Sequence, residues 1–123
     1  MKTEVTIGDM QEYLTRRYGG WATEQGMFMK LVEEIGEVAE VLNKRAGRKA
    51  AEGEDLGSQL GEELADMVHY IVAIAGINGI DLSEAILKKD VVASKKYNHE
   101  DNLQMFICDR EKYLELIGEK VTE

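Results

Sequence analysis

Between Leu64 and Ile77 the chain is apolar on nearly every side of a helix, interrupted only by Asp66 and His69. A helix of that kind belongs at the centre of a packed structure, because no face of it gains by meeting water. Other helices have to cover it, and the rest of the chain supplies them. The 123 residues contain no Pro, β-branched runs are few, and long segments are built from Ala, Leu, Glu and Lys. The expected fold class is all-α.

Taken in order, the local signals divide the chain into helices and turns. A short helix is expected around Gly8 to Tyr18, with Met10, Tyr13, Leu14 and Arg17 roughly on one side and Gly19-Gly20 as its stop. Thr23 is placed to cap a long helix from about Glu24 to Ala46, which Gly47 ends. Residues 47–57 read as a polar, glycine-punctuated loop. A second long helix runs from about Ser58 to Ile77, and Asn78-Gly79 is a turn. Asp81, with Glu84 three positions on, forms a capping-box pattern for a third long helix reaching about Asn98. A final amphipathic helix is expected over about 101–118, with Leu103, Phe106, Ile107, Tyr113, Leu114 and Ile117 at helical spacing. With no linker, repeat or low-complexity tract, these elements predict one domain over 1–123. Its core would be an antiparallel four-helix-bundle-like arrangement with an additional C-terminal helix.

Composition excludes several function classes. The longest uncharged apolar run, Tyr70 to Ile77, is far too short to span a bilayer, and no signal sequence opens the chain. The single cysteine, Cys108, has no internal disulfide partner, which fits a reducing cytoplasm. A net charge of −9 argues against nucleic-acid polymers and anionic membrane surfaces as partners.

The acids carry the chemistry. At about 100° per residue, Met27, Leu31, Val38, Val41 and Leu42 form the apolar stripe of the first long helix. Glu34 falls inside that stripe and Glu37 at its edge, whereas Glu33 and Glu40 point toward the polar side. On the second long helix Glu63 and Asp66 continue into Tyr70, Ala73 and Ile77, while Glu62 and His69 lie elsewhere. Glu34 with Glu37, and Glu63 with Asp66, are i,i+3 pairs that share a face. Antiparallel packing of the two helices would bring all four carboxylates to one place, where they repel and resist ionisation. A hard divalent cation with oxygen ligands removes that penalty. One such Glu reads as a salt bridge or a solvated edge. Two doublets on two buried helices read as a metal site, since buried charges are normally paired or metal-bound. The same cation would invert the local field and admit a polyphosphate that a chain of charge −9 would otherwise repel.

These residues resemble a known pattern. Glu33-Glu34-x-x-Glu37 sits within Leu31-Val32-Glu33-Glu34-Ile35-Gly36-Glu37-Val38-Ala39-Glu40. Glu63-Leu64-Ala65-Asp66-Met67-Val68 and Gly79-Ile80-Asp81-Leu82 follow it. Together they are similar to the MazG-like branch of the all-α nucleotide pyrophosphohydrolases, over about residues 21–98. The first motif alone is common on helices. Joined to the second at this spacing, and to the turn and capped helix, it is fairly specific.

The resemblance implies a Mg²⁺-dependent nucleoside triphosphate pyrophosphohydrolase, with Mn²⁺ as a substitute cation. It would release a nucleoside monophosphate and pyrophosphate from a canonical or noncanonical nucleotide, as a house-cleaning activity. By position, Glu34, Glu37, Glu63 and Asp66 correspond to the metal ligands. Glu33 and Glu37 are the candidates for taking a proton from water. The family's Lys-x-x-x-Asn-x-x-Arg/Lys pattern falls on Lys89 to Lys96, so Lys89 and Lys96 are candidate substrate contacts, joined by Trp21 and Tyr97. Ala93 stands where the pattern has Asn, which signals an altered nucleotide contact. The readings that compete are a phosphoribosyl-ATP pyrophosphohydrolase and a non-catalytic helical assembly protein with a structural acid or metal cluster. A carboxylate di-iron bundle ranks low because the chain has no Glu-x-x-His.

The all-round apolar helix and the separate stripe of the final helix predict an oligomer, since large uncovered apolar patches mark partner surfaces. Twofold pairing is the commonest closed solution, and the resemblance implies a homodimer or homotetramer.

Overall fold

A computed structural model describes residues 4–110. The helices among the described residues are α1 (Ile7–Tyr18), α2 (Glu24–Arg45), α3 (Leu56–Ile77), α4 (Leu82–Lys96) and α5 (Leu103–Cys108). Among the described residues there is no strand, and no single helix is long and apolar enough to cross a membrane. The chain divides into two compact units, Met1–Leu82 and Ser83–Glu123.

In the first unit each helix starts where a side chain caps it. Thr6 Oγ1 accepts from Asp9 N at 3.0 Å, and Thr23 Oγ1 accepts from Gly26 N at 3.0 Å. α3 begins two residues earlier than the sequence suggests because Asp55 provides the cap: its carboxylate accepts from Ser58 N at 3.1 Å. α2 stops at Gly47, whose φ of +77° favours glycine.

α3 lies at the centre of this unit, packed against α1 and α2. Leu14, Met27, Val72 and Ala73 form the buried core, with Met10, Tyr18, Ile74 and Ile77 around them. α1 approaches α3 closely at Gly76, where a Cβ would meet the Thr15 side chain. α1 also holds the turn that follows α3. Gln11 Nε2 donates to the Ile80 carbonyl at 2.5 Å, and Leu82 N donates to Gln11 Oε1 at 3.1 Å.

α2 and α3 run antiparallel: Met27 of α2 meets Val72 and Ala73 near the end of α3, and Lys44 at the other end of α2 pairs with Glu54 just before α3 at 3.2 Å. Each step up α2 is matched by a step down α3.

Two apolar expectations change. Leu42, read as part of the α2 stripe, is 47% exposed, and Leu64, Val68 and Ile71 of the all-round apolar helix are 40–45% exposed. Within this unit only α1 and α2 cover α3, so its remaining flank stays open.

In the second unit α4 ends at Lys96, two residues short of the expected Asn98. Asn98 takes a left-handed φ of +57°, and His99 N donates to the Ser94 carbonyl at 2.9 Å, which closes the helix. α5 is capped by Asn102, which accepts from Met105 N at 2.9 Å, and Asp90 of α4 accepts from Leu103 N at 2.6 Å. The expected helix over 101–118 is interrupted, since α5 stops at Cys108 with Asp109 in a turn. Tyr113, Leu114 and Ile117 lie outside the described residues.

Candidate metal centre

Antiparallel packing sets Glu34 of α2 against Glu63 and Asp66 of α3. Carboxylate oxygens of these three residues all lie within 4.8 Å of one another, with Glu34 and Glu63 half-buried and Asp66 exposed. Among the described residues, none of the three is ion-paired with a lysine or arginine. The consequence appears at Glu34, whose carboxyl titrates above its ordinary value of 4.5. Burial is the largest cause. A hydrogen bond shared with Glu63 comes next, followed by the charges of Asp66, Glu63 and Glu37.

A donor set made only of carboxylate oxygens, open to water on the Asp66 side and resisting ionisation at its centre, fits a hard divalent cation. Glu37 is not among the three closest acids and is exposed, yet its charge reaches Glu34. Glu33 turns outward, 65% exposed, and pairs with Lys30 at 3.4 Å.

One turn away the surroundings change. The Tyr70 phenol titrates above 10.0, mainly through burial and then through Tyr18. The Lys30 ammonium opposes that rise, and the charges of Glu34 and Asp66 add to it. His69 points away from the acid face, as its helical position implies. Its Nε2 is 2.7 Å from the Tyr18 hydroxyl of α1, and its ring meets the Tyr18 and Tyr70 rings edge-on at 5.6 and 4.9 Å. Its place is in packing α1 on α3. Trp21 is 68% exposed, its ring 5.6 Å from that of Tyr18 and its indole N–H donating to the Arg17 carbonyl at 2.8 Å.

The candidate substrate contacts of the second unit are all exposed. Lys89 and Lys96 lie on α4, and Tyr97 follows in the turn with the Lys96 ammonium 5.5 Å from its ring centroid. Ala93, at the position where the family pattern has Asn, is half-buried on the same helix.

Lys30 was not singled out by the sequence. Its signal was present: it stands four residues before Glu34, as Tyr70 stands four after Asp66.

Comparison with known proteins bears on the family and the fold. Residues 22–101 match the model of the MazG nucleotide pyrophosphohydrolase domain. Over 87 residues the chain is 30% identical to the uncharacterized protein YpjD of Bacillus subtilis (strain 168), covering 68% of this chain and 78% of that protein. Its fold is similar to the crystal structure of iMazG from Vibrio DAT 722, with a TM-score of 0.58 and 28% identity over 76% of this chain and 99% of that one.

Proposed function

The chain belongs to the MazG nucleotide pyrophosphohydrolase family, and from that premise we propose that it is a Mg²⁺-dependent enzyme cleaving a nucleoside triphosphate between its α- and β-phosphates. The products are a nucleoside monophosphate and pyrophosphate. The observation that carries the reading is the meeting of Glu34, Glu63 and Asp66 oxygens within 4.8 Å across two helices, without a basic partner among the described residues.

Glu34, Glu63 and Asp66 are the ligands of Mg²⁺, or of Mn²⁺ in its place, and Glu37 completes the set from the neighbouring turn. A divalent cation at these carboxylates neutralises phosphate charge and makes a water more acidic. Glu37 is the better placed of the two candidate bases to accept the water proton, because its charge already acts on Glu34 while the Glu33 carboxylate is engaged by Lys30. Trp21, Lys89, Lys96 and Tyr97 are the substrate contacts of the same reading.

The working form is a homo-oligomer with a dimer as its unit. Phe28, Val32 and Ile35 of α2 and Leu64, Val68 and Ile71 of α3 repeat at helical spacing and are 40–54% exposed. Two such surfaces meeting about a twofold axis would cover each other. Sedimentation equilibrium at micromolar concentration is expected to give a multiple of 13.8 kDa. A monomer mass throughout overturns the assembly.

The activity is tested by measuring pyrophosphate release, with and without Mg²⁺, from a panel of canonical and modified nucleoside triphosphates and phosphoribosyl-ATP. Metal-dependent release from a nucleoside triphosphate is expected. Release from phosphoribosyl-ATP alone moves the assignment to that substrate, and no release from any member returns the chain to a structural role.

A further inference from the structure

In the second unit α4 and α5 border a cleft of about 290 Å³. That is near the small end of the range for ligand pockets. Asp90 and Ser94 line it from α4, four residues apart on one face. His99, Asp101 and Asn102 line it from the turn between the two helices, and Leu103 and Phe106 give it an apolar wall. None of these residues belongs to the acid centre.

The backbone donors around this cleft are used, while much of its acceptor capacity is not. Leu103 N donates to Asp90 Oδ2 at 2.6 Å, Met105 N to Asn102 Oδ1 at 2.9 Å, and His99 N to the Ser94 carbonyl at 2.9 Å. Among the described residues neither Asp90 nor Asp101 is ion-paired with a lysine or arginine, and none lines the cleft. Ser94 is only 7% exposed, and among the described residues its hydroxyl has no hydrogen-bond partner. A buried hydroxyl without a partner is costly, so it marks a place for a ligand atom or an ordered water. A water would satisfy Ser94 and leave both carboxylates without a counter-charge. A bare metal ion does not fit either. The described acids that converge closely enough to share one are Glu34, Glu63 and Asp66, not Asp90 and Asp101. Positive charge spread along a short chain, with N–H groups at its ends and methylenes between, matches the lining.

We propose that this cleft binds a short aliphatic diamine cation, with one ammonium donating to Asp90 and the Ser94 hydroxyl, the other held by Asp101, and the methylenes lying against Leu103 and Phe106. An ammonium has three N–H donors and no acceptor, which suits a lining of this kind. Asp90 is half-buried and Asp101 exposed, so the Asp90 end is the stronger anchor. The site is independent of the pyrophosphohydrolase reading, since it uses other residues and takes a cation instead of an anion.

The test is calorimetric titration of the full chain with putrescine and with the uncharged diol of the same length, in excess Mg²⁺ to keep the diamine off the acid centre. Amide NMR spectra of the same samples locate the contact. Putrescine is expected to bind, the diol not to, and the amide signals of Ser94, His99 and Asn102 to shift. Asp90→Asn keeps an acceptor for Leu103 N and removes the charge; it is expected to weaken putrescine binding about tenfold. Asp101→Asn and Ser94→Ala should each weaken it by a smaller factor. No binding to the wild type overturns the site, as does equal binding of the diol or wild-type affinity in both aspartate variants. Amide shifts confined to the surroundings of Glu34 and Glu63 overturn it too, and the same shifts produced by Mg²⁺ alone replace it with a metal site. Circular dichroism checks that Asp90→Asn is folded. If it is not, Asp101→Asn decides, and unchanged affinity there overturns the site. Putrescine binding of the expected pattern in a protein that releases no pyrophosphate supports the site and removes the pyrophosphohydrolase reading alone.

Discussion

At the loop end of the α2–α3 pair, Glu40 and Glu54 each meet a lysine, whereas at the middle of the same pair Glu34, Glu63 and Asp66 meet one another. Lys49 lies 2.8 Å from Glu40 and Lys44 3.2 Å from Glu54. Glu40 titrates below 4.5, mainly through its hydrogen bond to Lys49. Glu54 does so mainly through backbone N–H groups, its own and that of Glu52, and then through Lys44. Glu34, on the same helix as Glu40 and made of the same atoms, titrates above 4.5. The contrast separates acids paired with a lysine from acids that we propose to be cation ligands. The first group has its counter-charge built into the chain. The second has its counter-charge left out, and the fold carries the resulting repulsion.

The largest test of that contrast is Glu63→Gln. Removing one negative ligand while keeping the shape is expected to cut Mg²⁺-dependent pyrophosphate release by about a hundredfold or more, the scale on which metal ions act in such sites. The circular dichroism spectrum should remain that of the wild type. Near-normal turnover in the folded variant would erase the distinction between the two groups of acids.

Metal linkage comes next. Mg²⁺ is expected to raise the melting temperature of the wild type by binding the folded state, worth about 2.7 kcal/mol at a concentration a hundred times Kd. Glu34→Gln combined with Glu63→Gln should abolish the rise, while Lys49→Ala should keep it. Thermal melts across a Mg²⁺ titration read both.

A smaller effect concerns pH. Because the folded chain raises the pKa of Glu34, the stabilising contribution of this group is complete below about 4.5 and is lost as pH rises through the folded value. Metal-free Glu34→Gln is therefore expected to melt a few degrees higher than wild type at pH 7, with the gap closing on acidification toward pH 4.5. A variant that is less stable at neutral pH would contradict the account of a repulsive centre.

The smallest effect belongs to the loop end, with the opposite sign. Glu40 is depressed, so its contribution is present above 4.5 and fades as pH falls through the folded value. Lys49→Ala should lower the melting temperature only marginally at pH 7, since the pair is exposed. It should have no effect at acid pH and leave activity unchanged.

By itself the sequence determined that the chain is helical, where most helices begin, and which acids share a face. These are local matters. Thr23 caps α2 through an atom three residues away, and the offset of Glu63 from Asp66 follows from helical pitch alone. The resemblance of Glu33 to Glu37 and Glu63 to Asp66 to a known motif added the reaction. Local rules still misplaced some ends. Asp55 started α3 ahead of the expected Ser58 by capping it, and Asn98 stopped α4 by taking a left-handed backbone.

Only the tertiary structure decided what depends on the register between helices. It set Glu34 opposite Glu63 and Asp66 and left Glu37 one step outside. The close approach of α1 at Gly76 also joined Tyr18 to His69 across 51 residues of sequence. It also uncovered the apolar flank of α3, because whether a face is buried depends on how many neighbours the fold brings to it. Helical periodicity states which side chains lie together on one cylinder. The distance between two cylinders, and the sliding of one along the other, comes from packing small residues such as Gly76 and Ala73 into contact.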